Sequence, residues 1–218
     1  MRMSVFSLLL LTLFTGCVHK MKPVPLTPYH WQVEYDGGGS VQFNPDGSGD
    51  IVFQPKEPKT SGQTFATLLL LKDTVDRPLK NYAVKIEVTT VKQLREATPN
   101  EWEVFWFFGN YRKVQGENKT ANYFLVKPNV GTELGRVFDE TGQHFLKTSE
   151  LGELQIGKRH TFVIVKEKQS WILFQDGKQI MEYHGEQMPE ALYDQAGSFG
   201  LYSEDALVRI HSFSYQAL

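Results

Sequence analysis

The sequence predicts an all-β protein: a single domain in which two antiparallel sheets pack face to face. Three observations support this prediction. Short runs rich in β-branched and aromatic residues recur along most of the chain, divided by Gly-, Pro-, Asn- and Asp-rich turns. No helical pattern of the length needed for a crossover lies between them, which favours antiparallel pairing. The chain has 218 residues, enough for one good core and few for two.

The first sixteen residues, 1–16, have the pattern of a secretory signal peptide. Arg2 precedes an apolar run, Phe6 to Phe14, which is too short to span a bilayer. Gly16-Cys17 follows and resembles the cleavage site of bacterial lipoproteins, in which the cysteine becomes the lipid-carrying first residue. Because Cys17 is the only cysteine, we expect lipidation there. The alternative is a plain signal peptide or a membrane anchor in which the cysteine is incidental.

Residues 17–28 are expected to be the lipidated cysteine and a proline-rich tether, and residues 29–218 the folded domain. Acyl chains such as palmitate would hold the protein on a membrane. Since Val18 rather than aspartate follows Cys17, the resemblance to lipoproteins implies the outer membrane, with the domain facing the periplasm or the cell surface. With no second cysteine, the domain cannot form an internal disulfide. We expect a monomer.

About fourteen strands are expected in the domain. In the first half they are 31–35, 40–43, 50–54, 65–71, 81–93 and 101–112. In the second half they are 121–127, 132–138, 143–148, three strands of a meander within 160–184, 197–203 and 207–215. Asp176-Gly177 supplies the positive φ angles of a tight hairpin turn in that meander. One helical turn is expected near 189–194.

Residues 101–112, EWEVFWFFGNYR, contain six aromatic residues in twelve positions. Strand alternation divides their first part into two sets: Trp102, Val104, Trp106 and Phe108 on one face, and Glu101, Glu103, Phe105 and Phe107 on the other. The wholly apolar set is expected to face the core, which leaves the other set on an open face. A β-bulge near the start of this strand would reverse the assignment.

Several segments resemble the concanavalin A-like lectin/glucanase superfamily, and more narrowly the bacterial domains grouped with keto-disaccharide hydrolases. They are ANYFLVKPNVGTELGRV (121–137), QHFLKT (143–148), IGKRHTFVIVKEKQSWILFQDGKQI (156–180) and GSFGLYSEDALVRIHSF (197–213). The resemblance covers residues 30 to 216. It implies a jelly-roll sandwich whose concave face binds or cleaves saccharides. Relatives often have an aspartate where this chain has His211, and in many of them that aspartate lies near a structural calcium.

The expected saccharide site lies on the open face of the central strands. Its ligand-binding residues are Gln93, Arg95, Glu103, Phe105, Phe107 and Lys127. Aromatic rings stack on the C–H faces of sugars, and charged groups hydrogen-bond their hydroxyls. Neighbouring strands of a meander would bring the charged residues side by side. The alternative is a cross-strand charge ladder that keeps the sheet soluble, with a further layer covering the phenylalanines.

Catalysis is the second hypothesis, with Glu103 and Glu133 as the candidate catalytic residues. Hydrolysis with inversion needs two carboxyl groups about 6.5 to 9.5 Å apart. Elimination at a keto-sugar needs one base and one cation, for which Lys127 or Arg95 could serve. A non-catalytic module that binds another protein is the third hypothesis.

The sequence gives little support for metal, cofactor or nucleic-acid binding. The six histidines show no ligand spacing, so no metal site is expected. Residues 46–57 imitate a calcium-loop spacing, but Ile51 stands where glycine is required. No cofactor is therefore expected, and a structural calcium is not supported by spacing. With a formal net charge of −2 and no basic stripe, nucleic acid is not an expected partner.

Overall fold

The computed structural model describes residues 21–44, 49–95, 98–114, 118–129, 131–138, 142–185 and 195–218. Within these ranges the chain forms fifteen strands and one short helix, α1 (Lys72–Asp76). The strands are, in chain order, β1 (Lys22–Pro23), β2 (Trp31–Asp36), β3 (Ser40–Gln42), β4 (Ile51–Gln54), β5 (Ala66–Leu71), β6 (Tyr82–Gln93), β7 (Phe105–Val114), β8 (Asn118–Val126), β9 (Thr132–Phe138), β10 (Gly142–Ser149), β11 (Arg159–Glu167), β12 (Ser170–Gln175), β13 (Lys178–His184), β14 (Ser198–Glu204) and β15 (Ala206–Ala217).

The strands form two antiparallel sheets. Sheet A has eight strands in the order β13-β12-β11-β6-β15-β4-β3, with β1 paired to β15. Sheet B has seven strands in the order β10-β9-β8-β7-β14-β5-β2. Every predicted strand is present with shifts of a few residues at its ends, and the two-sheet antiparallel sandwich is confirmed.

The core lies between the sheets and is rich in aromatic contacts. Phe107 of sheet B meets Tyr82 of sheet A with ring centroids 6.2 Å apart, and Phe124 of sheet B meets Phe162 of sheet A at 5.4 Å. Both pairs are edge-to-face, the arrangement that ring quadrupoles favour. These contacts identify the inner face of sheet B. The residues that alternate with Phe107 and Phe124 therefore point to its outer face.

The predicted faces of the aromatic strand are wrong. Phe105 and Phe107 are on the inner face, and Trp106 and Phe108 lie on the outer face, although all four side chains are buried. The strand also begins at Phe105, so residues 101–104 form a turn before it. The prediction failed because both faces of this strand are apolar, and an apolar set on one face does not then identify the core.

The predicted tether is also wrong over residues 21–28. Lys22–Pro23 adds an edge strand to sheet A by pairing with Tyr215 and Ser214. Val24 and Leu26 are buried in the core, with 8% and 4% of their surface exposed. Proline tolerates an edge position because it has no N–H to donate to a neighbour. The proline-rich segment therefore belongs to the domain.

The helix α1 was not predicted. It follows the apolar strand β5 directly, and its Thr74 hydroxyl donates to the Leu71 carbonyl and accepts the backbone N–H of Phe199.

The predicted signal peptide, Cys17 and the helical turn at 189–194 lie outside the described residues. In the described ranges, no helix is long and apolar enough to cross a membrane.

Candidate functional site

Three connections between the sheets meet at one end of the sandwich, around Arg95. A guanidinium has five N–H donors, and that of Arg95 makes five hydrogen bonds within the chain. Its acceptors are Glu103 Oε1 at 2.5 Å, the carbonyl oxygens of Thr60 (3.2 Å), Ser61 (3.1 Å) and Gln63 (2.9 Å), and Asp205 Oδ2 at 2.7 Å. All of its donors are therefore used by the protein itself.

Both carboxylates of this Arg95 cluster (Arg95, Glu103 and Asp205) are fully buried. Asn100 Nδ2 donates to Glu103 Oε1 at 2.8 Å, and the Phe65 backbone N–H donates to Asp205 Oδ1 at 2.7 Å. The hydrogen bond to Glu103 raises the pKa of Arg95 above its ordinary value. The prediction that Arg95 and Glu103 lie on an open groove is wrong, because both close the end of the sandwich.

The remaining predicted ligand-binding residues divide between core and surface. Gln93 Nε2 donates to the Asn100 carbonyl at 2.8 Å and so braces the same connection as Glu103. Phe105 and Phe107 are core residues with 3% and 2% of their surface exposed. Of the six, Lys127 is the one beside the outer face of sheet B.

Lys127 follows β8 and forms a second charged cluster with Glu133 and Glu101. Its ammonium is ion-paired with Glu133 and lies 3.6 Å from Glu101 Oε2. Burial tends to lower the pKa of Lys127, but its hydrogen bond to Glu133 raises it overall. The two candidate catalytic residues are thus held in different clusters: Glu103 by Arg95, and Glu133 by Lys127. No hydrogen bond or ion pair among the described residues joins them.

The outer face of sheet B has a cavity lined in part by Trp106 and Phe108, which the sequence predicted to face the core. This cavity has a volume of about 330 Å³ and is lined by Tyr35, Trp106, Phe108, Tyr111, Thr120, Ala121, Val137, Gly142, Gln143 and Tyr202. Phe108 stacks on Tyr202 with ring centroids 4.7 Å apart, and Trp106 meets Tyr202 edge-on at 5.4 Å. We call this cavity the aromatic half. Its rings are fixed against one another before any ligand arrives.

A second cavity, of about 310 Å³, adjoins it on the same face, and Tyr111 lines both. Its polar lining residues are Gln32, Glu34, Thr74, Tyr111, Arg112, Lys113 and Ser198. Lys113 is ion-paired with Glu34, and Arg112 Nη1 donates to Gln195 Oε1. We call this cavity the polar half, and the two halves together the groove.

A β-bulge between Gly109 and Arg112 shapes the junction of the two halves. Asn110 adopts a left-handed backbone conformation there, with φ of 56°. Its side chain donates to the Leu79 carbonyl at 2.8 Å and accepts from Asn122 at 3.1 Å. Regular alternation would put residues 111 and 112 on opposite faces, whereas the bulge lets both Tyr111 and Arg112 line the polar half.

Glu204 is a residue of this face that the sequence reading missed. Its Oε2 accepts the Tyr202 hydroxyl at 2.8 Å, and Tyr202 lines the aromatic half. Burial raises the pKa of Glu204 above its ordinary value. The i, i+2 spacing of Tyr202 and Glu204 on a strand was the signal that could have found it. In the described part of the chain, no group of His, Cys, Asp and Glu side chains could hold a metal ion.

No protein-family model and no curated protein matches this chain. Solved structures do match. The carbohydrate-binding module CBM66 from Bacillus subtilis has a TM-score of 0.59 at 10% identity, covering 86% of this chain and 96% of its own. The Bacillus licheniformis β-glucanase has 0.59 at 13% identity, covering 91% and 98%. The Ca²⁺/Man3GlcNAc-bound exoplasmic/lumenal domain of VIP36 has 0.58 at 11% identity, covering 91% and 90%. These likenesses establish the fold, a two-sheet jelly-roll sandwich.

Proposed function

We propose that this domain binds a saccharide in the groove on the outer face of sheet B. The observation that carries the proposal is the junction at Tyr111, where an aromatic cavity meets one lined by planar polar side chains. Sugar rings offer apolar C–H faces and a rim of hydroxyl groups, so they need both kinds of surface within one site. Ligand sites in general combine apolar walls with a few placed polar groups.

The two halves of the groove would contact different parts of the sugar. In the aromatic half, Tyr35 and the side chains around it provide ring faces and edges for the C–H surface of a pyranose. In the polar half, Gln32 and Ser198 offer donors and acceptors for hydroxyl groups. Because the aromatic rings already pack on one another, little side-chain entropy would be lost on binding.

The structural neighbours support this proposal as analogy. A carbohydrate-binding module, a β-glucanase and a Man3GlcNAc-bound domain share the fold, and one fold can carry several activities. The groove itself, with aromatic and polar linings that meet at Tyr111, is the stronger support for saccharide binding.

A keto-glycoside hydrolase or lyase is the second candidate, and Glu204 is the observation that favours it. A carboxyl group whose pKa is raised by burial suits a general acid. Glu204 is also coupled to the groove through the Tyr202 hydroxyl. Glu103 is a weaker candidate, since it is fully buried and bound to Arg95. Replacement of Glu204 by Gln should abolish turnover if it is the acid, and should leave binding alone if no turnover exists.

We further propose that the protein is a lipid-anchored monomer of the bacterial outer membrane. Cys17 in its lipoprotein-like setting supports this, together with a domain that begins close behind it, at β1. Cys17→Ser should leave an unprocessed precursor, and the wild-type protein should fractionate with membranes until detergent is added. A processed end elsewhere than Cys17 would contradict the anchor.

The direct test of saccharide binding is a glycan array probed with the full chain, paired with an assay for released reducing sugar. We expect binding that Tyr35→Ala weakens and Tyr29→Ala does not. Tyr29 is a matched control because it is an exposed tyrosine outside the groove. If no glycan binds, the protein-interaction module becomes the better account.

A further inference from the structure

Charge in the polar half of the groove is unevenly distributed. Its lining includes three charged side chains: Glu34, Arg112 and Lys113. Lys113 and Glu34 form an ion pair with each other, which makes them neutral as a unit. Arg112 makes its hydrogen bond to Gln195, an uncharged amide. Among the described residues, the guanidinium of Arg112 therefore has no acidic partner, and the polar half carries one net positive charge.

Few of the donors of Arg112 are used by the described residues. A guanidinium offers five N–H groups in a planar fork, and within the described part of the chain Arg112 makes one hydrogen bond, through Nη1. Its side chain is partly buried beside Tyr111, at the junction of the two halves. A cation beside a cavity wall is screened less than one on open surface. A planar fork of this kind matches the two oxygens of a carboxylate better than it matches a single hydroxyl.

We propose that the groove selects an acidic saccharide and that Arg112 binds the carboxylate of a uronate-like sugar. The inference rests on the proposed function, because it names the class of sugar that the same groove takes. The sugar ring would lie toward the aromatic half, and its carboxylate would reach the free edge of the guanidinium. Tyr111, which lines both halves, would lie beneath the junction between ring and carboxylate.

The test is an array of uronic-acid oligosaccharides, each printed beside its methyl-esterified or carboxyl-reduced counterpart and probed with the full chain. The acid form should bind about tenfold or more tightly than its neutral partner, as expected for charge-assisted hydrogen bonds. The preference should shrink as salt is raised. Acid and neutral forms that bind alike, or neutral glycans as the best ligands, would overturn this inference and leave saccharide binding intact. An array on which nothing binds would overturn both.

Substitutions of single arginines test whether Arg112 causes the preference for the acid form of the sugar. Arg112→Gln should lose about tenfold in affinity for the acid form and little for the neutral form. Arg112→Lys should recover part of the loss, since it keeps the charge but not the fork. Arg209→Gln is the control for net charge, because Arg209 lies on sheet A beside Asp50, away from the groove. If Arg112→Gln retains the full acid preference, or if Arg209→Gln removes it equally, the assignment to Arg112 fails.

Discussion

Two arginines, Arg95 and Arg112, show how differently the same side chain is used in this domain. Arg95 makes five hydrogen bonds to its own chain, two of them to fully buried carboxylates. Arg112 makes one hydrogen bond among the described residues, to an amide, and lines a cavity. The number of committed donors separates a cation that closes the fold from one whose donors are mostly uncommitted among the described residues.

The difference also explains why the sequence predicted a binding role for Arg95 and Glu103, which are held in a buried cluster. Arg95 and Glu103 have the residue types of a binding site, and nothing in their order shows that three loops converge on them. Arg112 ends the predicted strand 101–112 and lies inside the observed strand β7, so its sequence position gave no signal of a binding role. How many donors an arginine commits to its own chain is a property of the tertiary structure, and it can be tested by substitution.

The largest effect is expected at Arg95. Arg95→Gln leaves Glu103 and Asp205 buried without their cation, and breaking a buried ion pair in this way costs about 3–5 kcal/mol. Urea unfolding should show that loss in the free energy of unfolding. The matched variant Arg112→Gln should change it by no more than about 0.5 kcal/mol. Equal losses in the free energy of unfolding of the two variants would contradict the different roles of Arg95 and Arg112.

A smaller effect, on affinity instead of stability, is expected at Tyr35. Tyr35 is half-buried on the wall of the aromatic half, so Tyr35→Ala should weaken saccharide binding about tenfold, or ~1.4 kcal/mol. Isothermal titration calorimetry with the best array ligand measures the change, with Tyr29→Ala as control. Unchanged affinity in Tyr35→Ala would place the ligand elsewhere.

Glu204 should show a modest, pH-dependent effect on stability. Its pKa is raised in the folded protein by burial, so the folded state binds this proton more tightly than the unfolded state does. Keeping Glu204 charged therefore costs stability at neutral pH, and the cost disappears as pH falls through the folded pKa to the ordinary value of 4.5. Glu204→Gln should raise Tm at pH 7 by about 2 °C.

Thermal melts from pH 7 to pH 4 check this prediction, and the difference in Tm between the variant and the wild type should close toward the acid end. A difference that stays constant with pH would mean that the substitution acts through packing or through the Tyr202 hydrogen bond instead of through charge.

The smallest effect is expected beside Lys127, which the sequence also placed in the site. Its side chain is 22% exposed and pairs with Glu133 and with the half-exposed Glu101. The pair with Glu101 is the exposed one, and exposed pairs contribute about 0–1 kcal/mol, so Glu101→Gln should lower the free energy of unfolding by no more than that. A loss as large as that of Arg95→Gln would show that the Lys127 cluster is a structural hub as well.

The sequence predicted the fold well because turn chemistry and alternation are local. The strand at 132–138 was predicted at its observed ends, and the Asp176-Gly177 turn lies between β12 and β13 as expected, with positive φ at both residues. Two errors have local causes. The tether prediction failed because apolar Val24 and Leu26 pack into the core. Helix α1 was missed because it follows β5 without a capping side chain.

The groove that we propose as the binding site was not predicted, because the features that form it are not local in the sequence. Aromatic residues occupy both faces of β7, so alternation could not tell core from groove. The bulge at Asn110, which brings Tyr111 and Arg112 onto one face, depends on the Leu79 carbonyl, which is distant in sequence. The sequence predicted Phe105 and Phe107 on the open face, whereas the structure has Trp106 and Phe108 of the same strand on that face.

The most direct test of the groove as the binding site uses the four tryptophan side chains as reporters. Trp31, Trp106 and Trp171 are all buried, but only Trp106 among them lines the aromatic half, and its indole N–H donates to the Trp102 carbonyl at 2.7 Å. In a ¹H–¹⁵N NMR titration with the tightest array ligand, the Trp106 indole signal should shift progressively while those of Trp31 and Trp171 stay in place. Saturable binding that leaves Trp106 unmoved and shifts Trp171 would contradict a saccharide site on the outer face of sheet B.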